Sequence, residues 1–281
     1  MIPAAFDYER AESVEHAVEL LGRFGGEAKL LAGGHSLLPL MKLRFARPSA
    51  LVDLGRVSEL SYVRDAGERI AIGALLTHEE VHQSEVLAAG CPLLAYAAGE
   101  VGDPQVRHVG TIGGSLAHAD PASDVPTVLL TLEAELAVTG PDGERTVQAA
   151  DFFRGTFEPD LGEQEVLTEI RVPKTGDSGW SYVKFHPRAQ DWAIVGVAAL
   201  VGRVNGGVGR AAVGLTNMGP TPLRARAVEE ALAAGDAPAA AAATAAEGTN
   251  PVDDPFASGE YRRYLASVLV RRALEEALER A

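Results

Sequence analysis

The chain is short of cysteine: among its 281 residues there is a single one, Cys91. One thiol cannot form a disulfide within the chain, and it cannot hold an iron–sulfur cluster, which takes about four cysteines. Any such cluster that serves this protein must therefore lie on another chain. Cys91 lies between Gly90 and Pro92 beside an Ala/Leu-rich run, so we expect it to be a small core or near-surface residue.

Positive charge is also scarce, with 25 Lys and Arg against 39 Asp and Glu and a formal net charge of −14. A polyanion would be repelled by such a chain, which argues against nucleic-acid binding. No apolar stretch reaches the roughly eighteen residues that a membrane span needs, and no basic segment with an apolar core stands at the N-terminus. We therefore expect a cytoplasmic protein without a transmembrane segment.

Familiar catalytic patterns are missing too. There is no Ser-His-Asp order, no zinc-ligand spacing and no nucleophile elbow. Asp120 and Asp124 are four apart, but Pro121 between them breaks regular helix and no cluster of further carboxylates or histidines lies close in sequence. No catalytic residue and no metal site is predicted.

Two glycine-rich motifs stand out against these absences. They are Leu31-Ala32-Gly33-Gly34-His35-Ser36-Leu37 and Thr111-Ile112-Gly113-Gly114-Ser115. Adjacent glycines reach positive φ, where successive N–H groups converge on an anion, and the serine hydroxyl adds a hydrogen bond. A single Gly-Gly pair is more often a simple turn, but two such motifs suit a ligand with a diphosphate and a long reach, such as a dinucleotide. Neither matches a Walker A loop or the Rossmann Gly-x-Gly-x-x-Gly.

The same stretches carry a resemblance to a known family. They are Ala32–Pro39 with Met41–Arg44, Val106–Asp124, and the shorter Tyr182–Phe185. Over essentially its whole length the chain resembles the medium, FAD-binding subunits of molybdenum hydroxylases, the family of carbon monoxide dehydrogenase medium subunits and xanthine dehydrogenase FAD-binding subunits. The resemblance implies an α+β fold. It comprises a two-subdomain FAD-binding domain of the vanillyl-alcohol-oxidase-like (PCMH-type) superfold and a C-terminal three-stranded antiparallel sheet with helices.

The resemblance also implies where FAD binds. Both glycine motifs wrap the pyrophosphate in the family, which assigns to the cofactor Leu31, Ala32, Gly33, Gly34, His35, Ser36, Leu37, Thr111, Ile112, Gly113, Gly114 and Ser115. Asp124 would hold ribityl or ribose hydroxyls, the alternative being helix capping, and Lys184 would lie near the flavin. Leu167 would pack on it. His118 would face the flavin edge or satisfy a backbone carbonyl. His35 would contribute backbone N–H groups and loop shape to noncovalent FAD, in preference to a covalent link.

The family function follows from the same resemblance. Electrons would leave a molybdopterin centre on a large subunit, cross [2Fe–2S] clusters on a small subunit and reduce FAD here, before passing to an external acceptor. The assembly would be a dimer of heterotrimers. Two alternatives stay open, a self-contained FAD-dependent oxidoreductase of the same superfold and a scaffold that has lost FAD.

Hydrophobic periodicity and turn residues predict the elements. We expect an FAD-binding domain over residues 1–176, with subdomains at about 1–56 and 57–176, and a C-terminal domain over residues 177–281. The predicted helices are Ser13–Phe24, a short helix capped by Thr77, Glu85–Ala98, Ser123–Glu133, Ala225–Ala234, Pro238–Ala246 and Glu260–Arg280. The predicted strands are Ala28–Ala32, Ala50–Leu54, Ile70–Ala74, Leu136–Thr139, Arg145–Gln148, Val166–Val172, Trp180–His186, Ala193–Val204 and Gly209–Leu215.

Three details of the C-terminal part complete the prediction. Asn205-Gly206-Gly207 is a turn between strands. Trp192 is interpreted as a core anchor, with a lid over the isoalloxazine as the alternative. The terminal helix has an apolar stripe formed by Tyr264, Leu265, Val268, Leu269, Ala273, Leu274 and Leu278.

Overall fold

The computed structural model of the chain describes residues 2–204 and 207–281. Its strands are β1 (Asp7–Arg10), β2 (Ala28–Leu31), β3 (Ala50–Asp53), β4 (Val63–Ala66), β5 (Arg69–Gly73), β6 (Glu135–Gly140), β7 (Gly143–Gln148), β8 (Phe153–Gly155), β9 (Glu158–Pro159), β10 (Val166–Pro173), β11 (Gly179–Phe185), β12 (Val195–Val204), β13 (Gly207–Thr216) and β14 (Leu223–Arg224). Its helices are α1 (Val14–Phe24), α2 (Leu37–Leu43), α3 (His78–Gln83), α4 (Glu85–Gly90), α5 (Pro92–Gly99), α6 (Pro104–Arg107), α7 (Ile112–His118), α8 (Asp124–Thr131), α9 (Ala149–Phe152), α10 (Arg226–Ala233), α11 (Pro238–Ala241) and α12 (Gly259–Arg280).

The N-terminal part is a three-stranded parallel sheet in the order β1-β3-β2, covered by α1. The Ser13 hydroxyl accepts a hydrogen bond from the His16 amide and so begins α1, and Gly25, with φ 69°, ends it. The predicted helix and the strands at 28–32 and 50–54 are confirmed. β1 was not predicted, because its sequence Asp-Tyr-Glu-Arg is polar and mostly exposed.

The middle part is a five-stranded antiparallel sheet in the order β4-β5-β10-β6-β7, and it shares one core with helices α3, α4, α5, α7 and α8. The predicted strand at Ile70–Ala74 is β5 of this sheet, and the predicted strands at 136–139 and 145–148 are β6 and β7, which pair antiparallel. The single helix predicted over Glu85–Ala98 is wrong. It is divided into α4 and α5 at Cys91, because Pro92 has no N–H and begins a new helix.

The C-terminal part is a four-stranded antiparallel sheet in the order β11-β12-β13-β14, with α10, α11 and α12 on it. The three predicted strands are joined by a fourth, β14, which was not predicted because two residues are too few to show an apolar pattern. The predicted helix at Pro238–Ala246 is shorter, since α11 passes into a 3₁₀ turn at Ala242. Of the predicted Asn205-Gly206-Gly207 turn, residues 205 and 206 lie outside the described residues.

The terminal helix α12 confirms the predicted element but changes its buried face. Leu265, Leu269 and Leu274 are buried as expected, whereas Tyr264 is exposed. Arg262 is buried instead, and its guanidinium donates hydrogen bonds to the Ile194 carbonyl and the Asp254 carboxylate. None of the helices in the described part of the chain is both long enough and apolar enough to cross a membrane.

Candidate functional site

The first glycine motif joins the carboxyl end of β2 to the start of α2 and forms an open loop. Gly34 has φ 70°, and of the four motif glycines it alone reaches the left-handed region. Within residues 2–204 and 207–281, the N–H groups of Gly33, Gly34, His35 and Ser36 have no hydrogen-bond acceptor, nor does the Ser36 hydroxyl have a partner. Four consecutive free N–H groups at the surface can cradle an anion.

The second glycine motif differs from the loop predicted for it, because it is the first part of helix α7. The Thr111 hydroxyl accepts a hydrogen bond from the Gly114 amide at 3.1 Å and caps the helix. The amides of Ile112, Gly113 and Ser115 donate to backbone carbonyls. This motif therefore offers no free N–H over residues 112–115, but its Ser115 hydroxyl has no partner in the described part of the chain.

Close packing explains the glycines that lack positive φ. A Cβ on Gly33 would lie 2.2 Å from the carbonyl oxygen of Val109, and one on Gly113 would lie 2.6 Å from that of Ala74. Side chains cannot fit at these distances, and the obstacle is backbone. The glycines thus allow the first loop to lie directly on the segment that leads into α7.

The two motifs consequently meet and form one surface. Gly33 contacts Val109 and Gly110, and a Cβ on Gly114 would lie 4.0 Å from the Cβ of Ala32. Val109 and Gly110 were not predicted as site residues. The sequence signal for these two residues was Gly110, a glycine directly before the second motif. Gly110 lies where two backbone segments approach closely.

Asp124 and Lys184 form a buried ion pair between the middle and C-terminal parts. Their carboxylate and ammonium groups are 2.9 Å apart, and the side chains are 6% and 3% exposed. The other oxygen of Asp124 accepts a hydrogen bond from the Tyr182 hydroxyl at 2.6 Å, and Lys184 also donates to the Glu100 carbonyl at 3.0 Å. Burial raises the pKa of Asp124, and the Lys184 charge and the Tyr182 hydroxyl act against this shift.

Tyr182 was not predicted as a site residue, although its position held a signal. Tyr182 and Lys184 are two apart on β11 and so point to the same face. Burial and the neighbouring Asp124 carboxylate raise the pKa of Tyr182 well above its usual value. The phenol therefore stays protonated and donates a hydrogen bond to Asp124.

The remaining predicted residues have distinct positions. Ile112 and Leu167 are buried in the central core, the latter on β10. His118, at the end of α7, is partly buried with its ring 5.0 Å from that of Phe157, and burial lowers its pKa. Trp192 is 69% exposed, so its interpretation as a core anchor is wrong. The buried positions after the 186–192 loop are taken by Ala193 and Ile194.

Cys91 is fully buried, and burial raises the pKa of its thiol to about 12. A thiol that stays protonated at neutral pH is unreactive, so this residue contributes only packing.

Comparison with known proteins agrees with this geometry. Residues 4–175 match the FAD binding domain in molybdopterin dehydrogenase, and residues 180–277 match the CO dehydrogenase flavoprotein C-terminal domain. The carbon monoxide dehydrogenase medium chain of Hydrogenophaga pseudoflava is 42% identical over 286 residues, covering 100% of this chain and 99% of the relative. The glyceraldehyde dehydrogenase medium chain of Sulfolobus acidocaldarius is 34% identical and covers 98% and 99% of the two chains.

Solved structures give the same result. A chain of carbon monoxide dehydrogenase from Hydrogenophaga pseudoflava superposes with a TM-score of 0.97, at 44% identity and with 100% of both chains covered. The fold and the paired glycine motifs define an FAD-binding oxidoreductase subunit. The chain belongs to the family of FAD-binding medium subunits of molybdenum hydroxylases, as its sequence predicts.

One buried group beside the site makes folding dependent on pH. His78 begins α3, its ring lies beside Gly110, and its Nδ1 has no partner in the described chain. Burial, with a smaller effect of the Arg107 charge, lowers the pKa of His78 to about 4. The unfolded chain takes up the proton near its ordinary pKa of about 6.5, so stability is complete above that pH and is lost as the pH falls towards 4. As the pH falls from about 6.5 to 4, we expect His78 to lower the free energy of unfolding by about 3 kcal/mol.

Urea unfolding of wild type and of His78→Leu between pH 7 and pH 4 measures this contribution. The variant is expected to lose less stability than wild type on acidification. His108→Leu, at an exposed histidine, is the control and should keep the wild-type slope. Equal slopes in wild type and His78→Leu would contradict the assignment.

Proposed function

We propose that this chain binds one FAD noncovalently across its two glycine motifs and passes electrons from [2Fe–2S] clusters of a small partner subunit to an external acceptor. The observation that carries the proposal is the contact between the loop of four free N–H groups and the Thr111–Ser115 helix start. FAD, when bound, supplies the redox chemistry, and the protein's residues bind, orient and tune it.

The residues present fit such a group. The N–H groups of Gly33 to Ser36 would hold pyrophosphate oxygens, and the hydroxyls of Ser36 and Ser115 would add hydrogen bonds. A Cβ at Gly33 would collide with the Val109 carbonyl and push the loop away from the segment it lies on. The close contact supports a cradle formed by backbone N–H groups. His35 is exposed with its Nδ1 at 3.1 Å from the Gly33 carbonyl, so this ring shapes the loop.

We propose cofactor contacts for the remaining predicted residues as well. Asp124 would accept from FAD hydroxyls, since each carboxylate oxygen that already accepts one hydrogen bond keeps a second lone pair. The ion pair with Asp124 would hold the Lys184 ammonium group in position near the flavin. Leu167 would pack against the flavin, and His118 would face its edge.

The assembly is proposed from the relatives. These are medium subunits of larger enzymes, so this chain takes its place beside a large molybdopterin subunit and a small iron–sulfur subunit, which we propose form a dimer of heterotrimers. We also propose the division into an FAD-binding domain over 1–176, with subdomains 1–56 and 57–176, and a C-terminal domain over 177–281, supported by the ranges of the two family matches.

The purified chain tests the proposal by its flavin content and affinity. Wild type is expected to bind one equivalent of FAD, measured by absorbance and fluorescence titration, and acid precipitation should release all of it. Gly33→Ala brings a methyl group against the Val109 carbonyl and should raise the FAD Kd at least 100-fold, about 3 kcal/mol. Gly202→Ala is the matched control, because its Cβ would meet nothing closer than the Ser178 hydroxyl at 3.8 Å.

Three further outcomes would contradict the proposal. Turnover of a small organic substrate by the chain alone, with a dye as acceptor, would favour a self-contained oxidoreductase. Absence of FAD binding by a well-folded wild-type chain, alone and in its complex, would indicate a scaffold without cofactor. Flavin that stays with the precipitated polypeptide would contradict noncovalent binding.

A further inference from the structure

A series of buried hydroxyl groups leads from the C-terminal sheet to the Asp124 carboxylate. The hydroxyl oxygens of Thr127 on α8 and Thr216 on β13 are 2.8 Å apart, and the Thr216 hydroxyl also forms a hydrogen bond with that of Tyr182. Tyr182 in turn donates to Asp124 at 2.6 Å. All four of these residues are buried. We call the hydroxyls of Thr127, Thr216 and Tyr182 the hydroxyl chain.

Two glycines make room for the hydroxyl chain. A Cβ on Gly196 of β12 would lie 2.8 Å from the Tyr182 hydroxyl oxygen and 2.9 Å from that of Thr216. A Cβ on Gly214 of β13 would lie 2.8 Å from the methyl carbon of Thr127. A side chain at either position would displace the residues that carry the hydroxyls, so α8 and the sheet pack this closely because both positions are glycine.

The number of protons fixes the direction of the hydroxyl chain. Each hydroxyl has one proton to donate, whereas an ionised carboxylate can only accept. Because Tyr182 donates its proton to Asp124, its oxygen can only accept the hydrogen bond from Thr216. The Thr216 oxygen is then left to accept from Thr127. Hydrogen bonds that point the same way strengthen one another, so Tyr182 is a better donor than an isolated phenol.

The groups around Asp124 act on its charge in opposite directions. Lys184 and Tyr182, both on β11, favour the ionised form, while burial and the Glu100 carboxylate disfavour it. Burial is the largest of these effects and raises the pKa of Asp124. Asp124 also lies in the first turn of α8, where the helix dipole favours a negative charge. The ionised carboxylate therefore depends on the tyrosine as well as on the lysine.

We propose that Tyr182 is a positioning residue for the cofactor: held by the two threonines, it keeps the Asp124 carboxylate ionised and oriented, so that its remaining lone pairs accept hydroxyl groups of FAD. The inference rests on the proposed function, in which Asp124 accepts from those hydroxyls. A carboxylate that is already held in place loses little conformational freedom when the ligand binds.

The inference makes FAD affinity dependent on pH when the tyrosine hydroxyl is absent. Without that hydrogen bond, Asp124 takes up a proton at a higher pH, and a protonated carboxyl group is a weaker acceptor. FAD titrations of the full chain between pH 8 and pH 6 measure this effect. On lowering the pH, the Kd of Tyr182→Phe should rise about tenfold more than that of wild type.

Variants of Thr216 test the hydroxyl chain without changing the tyrosine. Thr216→Val removes the hydroxyl but keeps the shape of the side chain, and its Kd should change with pH in the same direction as in Tyr182→Phe. Thr216→Ser keeps the hydroxyl and should restore the wild-type pH profile. If Tyr182→Phe does not fold, the comparison of these two variants supplies the same test.

Tyr62→Phe is the matched control. Tyr62 also donates a hydrogen bond to a carboxylate, that of Glu169, but it belongs neither to the glycine motifs nor to the Asp124–Lys184 ion pair. The FAD Kd of this variant should follow the wild-type pH profile.

A second measurement needs no cofactor. In the chain without FAD, Tyr182→Phe should lower the urea midpoint of unfolding more at pH 8 than at pH 5. The sign follows because the variant raises the pKa of the folded Asp124, so its folded state binds more protons than wild type and regains stability as the pH falls.

The outcomes separate the inference from the proposed function. A wild-type pH profile in Tyr182→Phe, or a Kd raised by the same factor at every pH, would overturn the inference, since the tyrosine would then contribute only packing. An equal loss of the urea midpoint at both pH values would do the same. Failure of wild type to bind FAD, with the pH-dependent loss of stability intact in Tyr182→Phe, would instead overturn the proposed function.

Discussion

Replacing Lys184 by methionine is expected to destabilise the folded chain by about 3–5 kcal/mol, because it leaves the buried Asp124 carboxylate without its cation. Tyr182 can still donate one hydrogen bond, but a hydroxyl does not balance a buried charge. The loss also separates two parts of the fold, since Asp124 begins α8 and Lys184 lies on β11. Urea unfolding followed by circular dichroism measures the change.

A double variant separates the charge from the packing. Asp124→Leu/Lys184→Met removes both ions and is expected to be more stable than Lys184→Met alone, as is found when apolar side chains replace a whole buried pair. Arg210→Met is the surface control. Its ion pair with Glu133 is well exposed, so it should cost less than about 1 kcal/mol. If Lys184→Met destabilised the chain by less than about 1 kcal/mol, Lys184 would not be the group that balances the buried Asp124 charge.

The flavin gives the second measurement on the same variants. If Asp124 and Lys184 contact FAD as proposed, the double variant should bind FAD weakly even where its stability has recovered. Normal FAD affinity in a stable double variant would show that the pair only holds the two parts of the chain together.

Removal of helix α12, residues 259–281, is expected to leave no folded chain. The helix buries Leu265, Leu269, Val270 and Leu274 against the sheet of β11 to β14. Each of these side chains contributes roughly 1.5–3 kcal/mol on burial, and their sum reaches the net stability of about 5–15 kcal/mol of a typical domain. The truncated chain should be insoluble or fail to bind FAD.

A point variant keeps this prediction measurable if the truncated chain cannot be purified. Leu269→Ala should cost about 2–5 kcal/mol, because the side chain is almost fully buried. Tyr264→Ala, on the exposed side of the same helix, should cost little. A truncated chain that stays folded with undiminished flavin affinity would show that α12 is a dispensable surface element.

Elements with a regular apolar pattern could be predicted from the sequence, and those without one could not. The predicted helix Ser13–Phe24 is α1, which Ser13 caps and which ends at Phe24. The polar strand β1 and the two-residue β14 have no such pattern, because their pairing depends on neighbours distant in sequence. At Cys91 the Ala/Leu composition favoured a continuous helix, and the missing N–H of Pro92 decided against it.

The site shows the same division. Which residues belong to the glycine motifs, and that they suit a dinucleotide, followed from the sequence and its family resemblance. That the second motif is a capped helix start followed only from the structure, since Gly113 and Gly114 serve close packing and not positive φ. Sequence spacing shows which residues can turn, but it does not show which backbone will pass within contact distance.

The sequence by itself determined the elements that have a regular apolar pattern, the acidic net charge, the lack of cysteines for a cluster, and the family. The tertiary structure alone decided that Lys184 and Tyr182 satisfy Asp124, that Arg262 is buried while Tyr264 is exposed, and that Trp192 lies outside the core. Charged and aromatic side chains are stable either in water or inside, provided that a buried one finds a partner. Partners far apart in sequence become neighbours only when the sheets and helices pack, so composition and periodicity cannot assign them.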